Sequence, residues 1–361
     1  MKRYFTSEAV TEGHPDKVCD RISDKILDYA LSHDKSSHMA VEATIKDELI
    51  LIYGEAKCSV EIPYEEIALS VIRDIGYTEK YNVLVKVGEQ SSEIDNAVDK
   101  EELGAGDQGI MFGYACKETE ELMPLPIMLA NKLAYRLTEV RKNGCNILRP
   151  DGKTQVTVEY DDDKVVRVDT IVISTQHIEN VSKEELDNVL MSIVCDVVPS
   201  ELLVDTKYLF NPSGSFVVGG SFGDSGTTGR KIVCDTYGGM GRIGGGCLSS
   251  KDPTKVDRSG AYYARYVAKN IVAHDLCRRC EVQVSYAIGV SKNTSLWIDC
   301  FGTEKVSMDE IYDFVNKNFD FSVSNIINEL DLRNVSYYGV SCYGHFGRSD
   351  LNLPWENIKN I

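Results

Sequence analysis

Residues 15–53 read PDKVCDRISDKILDYALSHDKSSHMAVEATIKDELILIY, and this stretch decides the fold class. Its first part predicts an amphipathic helix over 15–31, because apolar residues recur four apart and a proline can occupy the first turn. These apolar residues are Val18, Ile22, Ile26 and Ala30. Its second part predicts strands at 40–45 and 49–53, where apolar residues alternate or run together. Helix and strand therefore mix from the start of the chain.

The remaining periodicity continues this mixture of helices and strands. Further helices are predicted at 64–75, 125–142, 182–195, 253–273 and 307–317. Further strands are predicted at 83–87, 156–160, 170–175, 282–290 and 295–300. This order indicates an α+β fold more than a regular βαβ alternation. An acidic and then glycine-rich segment, 91–109, suits a mobile loop or lid, and we place the first domain boundary there. The second falls in 210–229, which is rich in Gly, Ser and Thr.

The composition excludes several classes of protein. The 361 residues contain 39 Lys and Arg against 56 Asp and Glu, a net charge of −17. A surface that binds nucleic acid as a whole needs a net basic face, so the charge argues against this class and leaves room only for a local basic patch. The N-terminus has no apolar core of signal-peptide length, and no apolar run reaches the roughly 18 residues of a membrane span. We therefore expect a cytoplasmic protein without membrane or nucleic-acid partners.

The eleven cysteines do not indicate a disulfide scaffold, since they are spread from Cys19 to Cys342 without a repeated spacing. We interpret them as buried or free thiols. The single C-x-x-C motif, Cys277 with Cys280, lacks a second ligand pair, which argues against a zinc or redox site.

A basic, glycine-rich island lies at 224–258. It has two more basic than acidic residues in an acidic chain, and glycines cluster at 238–246. Glycine backbones can approach phosphate oxygens closely, so the island predicts a polyphosphate cradle; a solvated surface loop is the alternative. The G-x-G-x-x-G match that begins at Gly239 follows the strand-like KIVCDTY, but more glycines stand where a Rossmann helix should begin. Gly152-Lys153-Thr154 resembles a P-loop end, yet Ile147 replaces the first glycine.

Carboxylates near helix starts are candidate magnesium ligands. Magnesium carried by a triphosphate takes only one or two protein carboxylates, and Asp16 and Asp257 are the candidates. Asp257 could instead pair with Arg258 or Lys255. His14 precedes the first helix, where it could serve a ligand, cap the helix or be satisfied in the core.

Other polar positions have simpler interpretations. Asp20, Asp24 and Asp28 continue the four-residue spacing of Asp16, and we interpret them as a solvated helix face. Basic residues interleave with them: Lys17, Arg21 and Lys25. Asp107, in GAGDQG, belongs either to a tight turn or to a loop that meets a ribose or base. No histidine pair has metal-like spacing, and no G-x-S-x-G nucleophile elbow with its partners is present.

Several long motifs resemble one family. They are FTSEAVTEGHPDK (5–17), GAGDQGIMFGYA (104–115), GDSGTTGRKIVCDTYGG (223–239), GGGCLSSKDPTKVDRSGAYYARYVAKNIVA (244–273), VSYAIGV (284–290) and YGHFGR (343–348). In this order they resemble the S-adenosylmethionine synthetases (methionine adenosyltransferases) of the bacterial and eukaryotic type, over essentially the whole chain. The resemblance implies an α+β fold of three similar α/β-sandwich domains related by pseudo-threefold symmetry, here 1–101, 102–219 and 220–361. It also implies a homodimer or homotetramer with active sites between subunits.

The resemblance implies a reaction as well. The methionine sulfur attacks C5′ of ATP and expels the triphosphate, which is then cleaved to diphosphate and phosphate. The implied cofactors are two Mg²⁺ per site and K⁺. A thioether is itself the nucleophile, so the protein only needs to orient the reactants and to stabilise the charge that grows on the triphosphate. This agrees with a phosphate cradle that has no nucleophile elbow.

Site residues follow from the resemblance position by position. His14 is implied to contact the triphosphate near O5′, Asp16 and Asp257 to hold Mg²⁺, and Glu42 to hold K⁺. The implied phosphate ligands are Lys153, Arg230, Lys231 and Lys251. The implied methionine ligands are Glu55, Gln90, Asp224 and Lys255, with Asp224 also near ATP. The implied adenosine contacts are Asp107, Asp151 and Phe216, and Ser215 and Cys247 complete the ATP-binding set. Residues 91–103 correspond to the gate over the site.

The chain departs from the family pattern at a few positions. Ser215 stands where the family often has a basic residue, and GGGCLSSKDP replaces the usual GGGAFSGKDP, which changes 247, 248 and 250. A non-catalytic nucleotide-binding homologue is the alternative function. Such a protein is expected to lose at least one of the clamp residues, and none is lost: His14, Asp16, Lys153 and Asp257. A kinase, which would leave ADP, is a third possibility that product analysis separates.

Overall fold

The structure is a computed structural model, and it describes residues 1–89 and 103–361. Its strands are β1 (Lys2–Val10), β2 (His38–Lys46), β3 (Leu49–Lys57), β4 (Asn82–Gly88), β5 (Gly109–Cys116), β6 (Leu148–Asp161), β7 (Lys164–His177), β8 (Lys207–Phe210), β9 (Gly226–Thr227), β10 (Arg279–Tyr286) and β11 (Ser295–Asp299). Its α-helices are α1 (Pro15–His33), α2 (Tyr64–Ile75), α3 (Leu125–Lys142), α4 (Lys183–Val197), α5 (Gly220–Gly223), α6 (Ile232–Asp235), α7 (Val256–Ala273), α8 (Met308–Asn318) and α9 (Val323–Glu329). Every helix and strand predicted from the sequence overlaps an observed one, except the strand-like KIVCDTY.

The strands form three sheets, and each sheet takes one strand from a different part of the chain. The strand orders are β4-β3-β2-β9, β1-β6-β7-β8 and β11-β10-β5. In each sheet the incoming strand pairs antiparallel with the first strand of a hairpin: β1 with β6, β5 with β10, and β9 with β2. Strand β1 thus completes the sheet of β6 and β7, β5 completes the sheet of β10 and β11, and β9 completes the sheet of β2 and β3.

The same order of elements occurs three times. An exchanged strand is followed by a helix, an antiparallel hairpin and a second helix: β1-α1-β2-β3-α2, then β5-α3-β6-β7-α4, then β9-α7-β10-β11-α8 with the short α6 inserted. In the first two units a parallel strand, β4 or β8, extends the hairpin. The expected fold, three similar α+β units related by pseudo-threefold symmetry, is confirmed.

Each sheet buries one face beneath its helices. On β2 the buried residues alternate with half-buried ones, which is the period of a strand that has one face in the core. The buried positions are Met39, Val41, Ala43 and Ile45. They face α1, whose predicted apolar stripe is buried as expected. The opposite face of β2, with Ala40, Glu42 and Thr44, is left for chemistry or for a partner.

Helix α7 is buried almost all round. Every residue from 258 to 272 is buried, and the helix packs against β5. Gly113 permits this approach, because a Cβ there would lie 2.0 Å from the backbone carbon of Ala264. Arg265 compensates for its own burial by donating to the carbonyl oxygen of Tyr114 at 2.8 Å. The middle of this helix is consequently held against β5.

The prediction of a solvated face at Asp20, Asp24 and Asp28 was wrong. Asp20 and Asp24 are 0% exposed, and they pair with Lys17 and Arg258. The half-buried carboxylate of Asp28 accepts two backbone N–H groups from the C-terminal segment. The periodicity shows only which residues are apolar, whereas paired carboxylates can be buried as well when other domains cover the helix.

Two further points correct the sequence prediction. KIVCDTY is not a strand, since Ile232–Asp235 form a single helical turn. Strands β1, β5 and β8 lacked a clear signal. β1 reads KRYFTSEAV and has only half-exposed and exposed residues over its first five positions. It becomes a strand because nine consecutive residues pair with β6, a contact that lies more than a hundred residues away in sequence.

Candidate active site

The N-terminus of α1 is fixed by its backbone surroundings. Gly13 cannot carry a side chain, because a Cβ there would lie 2.4 Å from the Pro150 backbone. His14 is the N-cap residue, and its Nδ1 accepts the N–H of Asp16 at 3.2 Å. Pro15 takes the first helical position. His14 and Asp16 therefore lie at the positive end of the helix dipole, where an anion is favoured.

The imidazole of His14 is neutral at pH 7. Burial lowers the pKa of His14 to about 4, and the positive charges of Lys231 and Lys153 lower it further than Asp16 and Asp224 can raise it. The ring is thus able to donate one hydrogen bond to a ligand without adding a charge.

The carboxylate of Asp16 fastens the loop that follows β9. Its Oδ1 accepts the N–H of Thr227 at 2.9 Å, and its Oδ2 lies 2.5 Å from the Nζ of Lys231. The Nε of Arg230 lies 3.5 Å from Oδ1. Burial raises the pKa of Asp16, but Lys231 and the Thr227 N–H outweigh it, so the pKa is lowered and Asp16 is ionised at pH 7.

Asp20, one turn further along α1, supports the same loop, and the sequence analysis missed this role. Its Oδ1 accepts the N–H of Gly229 at 2.8 Å. Its other oxygen pairs with Lys17, which also contacts Asp235, and all three side chains are almost fully buried. Burial lowers the pKa of Lys17, but the two carboxylates raise it well above its usual value. The four-residue spacing from Asp16 to Asp20 places both on one helix face, and that was the available signal.

Strand β6 adds further charged groups beside His14. Asp151 Oδ2 accepts the N–H of Gly220 at 2.8 Å. Burial raises the pKa of Asp151 to about 6, although the Gly220 N–H and the charge of Lys153 act in the opposite direction. Lys153 and Asp224 are exposed, and both act electrostatically on His14. We call the group formed by His14, Asp16, Asp151, Lys153, Asp224, Arg230 and Lys231 the first cluster.

Phe216 and Ser215 lie on the loop between β8 and α5. The N–H of Phe216 donates to His177 Nε2 at 3.0 Å, and its carbonyl oxygen accepts the N–H of His177 at 3.0 Å. These bonds fix the backbone, while the Phe216 ring is half-buried and Ser215 is exposed. The ring thus remains available for stacking.

A second cluster lies at the N-terminus of α7, and we define it as Lys251, Lys255 and Asp257. Asp257 pairs with Lys251, not with either neighbour considered from the sequence. Lys255 lies 3.3 Å from Asp252, whose other bonds hold the turn. Gly246 lies so close that a Cβ there would come within 2.2 Å of the Asp257 carboxylate. A lysine, a carboxylate and a glycine backbone without a side chain thus meet at a helix N-terminus, as they do in the first cluster.

The loop at 104–109 lies against the second cluster. A Cβ on Gly109 would lie 3.3 Å from Asp257 Oδ1, and one on Gly106 would lie 3.2 Å from the Lys255 side chain. Asp107 is exposed, and its carboxylate accepts the N–H of the adjacent Gln108 at 2.7 Å. The second oxygen of Asp107 has no hydrogen bond within the described residues.

Strand β2 separates the two clusters. Its Ala40 forms a bridge with Lys251, and its Thr44 pairs with Thr227. Four residues of extended chain span about 13 Å. No hydrogen bond or ion pair between described residues joins one cluster to the other directly. Glu42 lies midway on the same face of the strand.

The remaining candidates surround this strand. Glu42 Oε2 accepts a hydrogen bond from Tyr53 at 3.2 Å. Glu55 is exposed and lies opposite Ala40 in the β2-β3 register. Cys247 packs against Gly229, where a Cβ would lie 2.5 Å from the Cβ of Cys247. Gln90 and the predicted gate, except for its last residue, lie outside the residues that the structure describes.

Comparison with protein-family models matches the whole architecture. The N-terminal domain of S-adenosylmethionine synthetase matches residues 2–101, the central domain matches 102–216, and the C-terminal domain matches 218–357. The chain belongs to the S-adenosylmethionine synthetase family. The resemblance seen in the motifs is confirmed, and the complete set of domains supports the synthetase function.

As a member of this family the chain is a transferase with methionine adenosyltransferase activity, and its substrates are ATP and methionine. The family requires metal ions. Within the described residues no helix is both long and apolar enough to cross a membrane.

One departure from the family pattern has a structural cost. Ser250, at the position of a glycine in the pattern GGGAFSGKDP, has a φ of +80°, a conformation that glycine adopts far more easily than serine. Its N–H donates to Asp24 at 3.0 Å, but its buried hydroxyl has no hydrogen-bond partner among the described residues. The Asp24 carboxylate holds the backbone of Ser250 in this conformation, although the conformation is unfavourable for serine.

Proposed function

We propose that the enzyme makes S-adenosylmethionine from ATP, L-methionine and water, with diphosphate and phosphate as the other products. The observation that carries this proposal is the pair of matching clusters, in which a lysine and a carboxylate meet at the N-terminus of α1 and again at that of α7. Both places favour an anion through the helix dipole, and both supply lysines that can bind phosphate. A triphosphate leaving group needs such a distributed positive charge.

The donor set fits the metals that the family requires. Asp16 and Asp257 offer hard carboxylate oxygens, which suit Mg²⁺, and each is already balanced by a lysine. When phosphates occupy Lys231 and Lys251, these carboxylates would be left for two Mg²⁺. Glu42, held by Tyr53, would serve as the K⁺ ligand. When bound, Mg²⁺ neutralises the charge that develops on the leaving triphosphate.

The chain's own residues then have distinct tasks. Neutral His14 would donate a hydrogen bond from Nε2 to the triphosphate near O5′, since its Nδ1 already accepts the N–H of Asp16. The proposed phosphate ligands are Lys153, Arg230, Lys231 and Lys251. The proposed contacts to adenosine and ATP are Asp107, Asp151, Ser215, Phe216, Asp224 and Cys247. The proposed contacts to methionine are Glu55, Gln90, Asp224 and Lys255. No protein nucleophile is needed, because the thioether sulfur forms the new C–S bond as the C5′–O bond breaks.

We further propose that the complete site joins the first cluster of one protomer to the second cluster of its partner. The separation of about 13 Å along β2 supports this arrangement. So does the outer face of the β4-β3-β2-β9 sheet, where Leu49 and Leu84 are exposed on the same face as Glu42. A sheet face of this kind can pack against a second copy.

Mixing two inactive variants tests this arrangement. Asp16→Asn removes the carboxylate of the first cluster and Asp257→Asn that of the second. If sites form between subunits, random exchange gives half mixed dimers with one intact site each, or about a quarter of wild-type activity. Sites within one chain would give no recovery. A control mixture of each variant with itself should stay inactive.

The reaction itself is tested by analysis of products. Purified protein with ATP, Mg²⁺ and K⁺ should give S-adenosylmethionine, diphosphate and phosphate only when L-methionine is present. ADP as the nucleotide product would instead indicate a kinase, and nucleotide binding without S-adenosylmethionine would indicate a non-catalytic homologue. We also propose a cytoplasmic location, which is supported by the finding that all eleven cysteines are free thiols.

A further inference from the structure

Three cysteines converge at one end of the third sheet, away from both clusters. The sulfur atoms of Cys277, Cys280 and Cys300 all lie within 4.8 Å of one another. The three residues are 0%, 0% and 2% exposed. The sequence offered only the first two, as a C-x-x-C motif without further ligands. The fold supplies the third thiol that the motif lacked.

The β10-β11 hairpin brings the third cysteine to the other two. Glu281 pairs with Asp299, so the next position along the register places Cys280 opposite Cys300. The chain then turns sharply: the N–H of Thr303 donates to the carbonyl oxygen of Cys300 at 2.9 Å, and Phe301 and Gly302 both have positive φ. This is the geometry of a type I′ turn. Beyond this turn the chain continues antiparallel to the segment before β10, and Glu304 forms a bridge with Cys277.

The spacing of the sulfur atoms is close to that of a metal site. Zn–S bonds of about 2.3 Å in a tetrahedron place sulfur atoms about 3.8 Å apart. Since no separation exceeds 4.8 Å, side-chain rotations that shorten the separations by at most about 1 Å would bring the three sulfur atoms to this spacing. Thiolates are soft ligands that select Zn²⁺ over Mg²⁺ or K⁺, so this site would not compete for the metals of the active site.

The surroundings provide a fourth ligand and a route of entry. Glu304 is exposed, and as the bridge partner of Cys277 it lies on the same side of the ladder. Its carboxylate lies outside the group of atoms within 4.8 Å of one another, so either a rotation of this exposed side chain or a water would fill the remaining tetrahedral position. Arg278, between the two cysteines of the motif, is also exposed, so the thiols lie only one layer below the surface.

We propose that Cys277, Cys280 and Cys300 bind one Zn²⁺ ion as thiolates, with Glu304 or water as the fourth ligand. Binding releases one proton from each thiol. The ion joins the segment after α7 to the turn after β11. It therefore fixes the start of β10 relative to the end of β11. Because it lies outside the two clusters, its role is structural, and the proposal does not depend on the proposed reaction.

Titration with Co²⁺, a spectroscopic substitute for Zn²⁺, tests the site in the full-length protein. The protein is purified under reducing conditions, freed of metal with a chelator and titrated anaerobically. One Co²⁺ per chain should bind with a thiolate-to-metal charge-transfer band, and its intensity should correspond to three thiolates. Zn²⁺ should abolish the band. Carboxylate sites such as Asp16 give no such band, so the active-site metals cannot imitate this result.

Single substitutions identify the ligands. Cys277→Ser and Cys300→Ser should each weaken Co²⁺ binding by more than about 100-fold, because even outer-shell partners of a metal change affinity 10- to 100-fold. Cys195→Ser, which alters an exposed thiol on α4, is the matched control and should bind as the wild type does. If a variant does not fold, the thiolate count from the wild-type band still decides the question.

Three results would overturn the proposal: a wild-type protein that binds no stoichiometric Co²⁺, a band that both serine variants retain, or a band of fewer than three thiolates. Recovery of a Cys277–Cys280 disulfide from reduced, metal-free protein after air exposure, together with no Co²⁺ binding, would also overturn it in favour of a redox pair. Loss of S-adenosylmethionine formation would be a separate result, since the Co²⁺ band is read without substrates.

Discussion

Asp24→Asn is expected to destabilise the protein strongly, although it only replaces one carboxylate oxygen by an NH₂ group. Both oxygens of Asp24 are in use: Arg258 Nη2 lies 2.8 Å from Oδ1 and 2.7 Å from Oδ2, and the N–H of Ser250 lies 3.0 Å from Oδ1. An amide must turn its NH₂ group toward one of these donors. It also leaves Arg258 charged, 0% exposed and without its counter-ion.

The size of the expected loss in unfolding free energy follows from the burial of the ion pair. Removing one partner of a buried ion pair costs about 3–5 kcal/mol of unfolding free energy. Asp187→Asn makes the same chemical change in an exposed pair with Lys183 on α4, where a cost below about 1 kcal/mol is expected. The two variants thus differ in burial and hardly at all in chemistry.

Urea unfolding followed by circular dichroism measures the difference. Asp24→Asn should lower the midpoint well beyond Asp187→Asn, and a double variant with Arg258→Met should cost less than the sum of its single variants, because the orphaned charge is then removed as well. Equal midpoints for Asp24→Asn and Asp187→Asn, or strictly additive effects with Arg258→Met, would refute the interpretation of Asp24 as the counter-ion of a buried arginine.

Four further outcomes follow from the geometry. The pKa of His14 is about 4 in the folded state and about 6.5 when unfolded, so between these pH values the unfolded chain binds the extra proton and stability rises with pH. His14→Gln should flatten this slope, as urea unfolding at a series of pH values would show. Asp151 affects stability in the opposite direction, because its folded pKa of about 6 exceeds the unfolded value of 3.8, so its contribution to the unfolding free energy falls as pH rises between them. Asp151→Asn should leave the protein at least as stable at pH 7.5 while lowering kcat/KM, and a less stable variant would contradict this. Ser250→Gly should raise the free energy of unfolding by about 1 kcal/mol by relieving the positive φ, as thermal denaturation would show, and no gain would contradict the strain. Gly246→Ala should lower kcat more than 10-fold at unchanged folding, measured by S-adenosylmethionine formation, because its Cβ would lie 2.2 Å from the carboxylate of Asp257.

The sequence was sufficient for most elements of the fold but not for their pairing. Local periodicity identified α1, α2 and α7, because helix formation and apolar burial both follow nearest-neighbour spacing. It could not identify β1, which is a strand only because β6 pairs with it along nine positions. The two residues of β9 carry no strand pattern at all, and their pairing with β2 depends on the arrangement of all three units.

The candidate site divides in the same way. Long motifs identified His14, Asp16 and Asp257 as chemically important, and the structure places each at a helix N-terminus. The buried partners were missed, because a charged residue in an amphipathic pattern is ordinarily solvated. Only the tertiary structure shows that Asp20 is buried between Lys17 and the loop that follows β9. The third thiol at Cys300 was invisible for the same reason, since only the register of the β10-β11 hairpin brings it to Cys280.

The cyclic exchange of strands sets the timing of folding during synthesis. When the ribosome has released the first hundred residues, β2 still lacks the neighbour β9, which is translated more than a hundred residues later. Until then the backbone groups along one edge of β2 are unpaired, and β1 has no partner strand in its own unit. Such unpaired edges can pair with other nascent chains. No unit can close its sheet with its own residues alone. The three units are therefore obliged to mature together, and a truncated chain of one or two units is expected to aggregate rather than to persist as a domain.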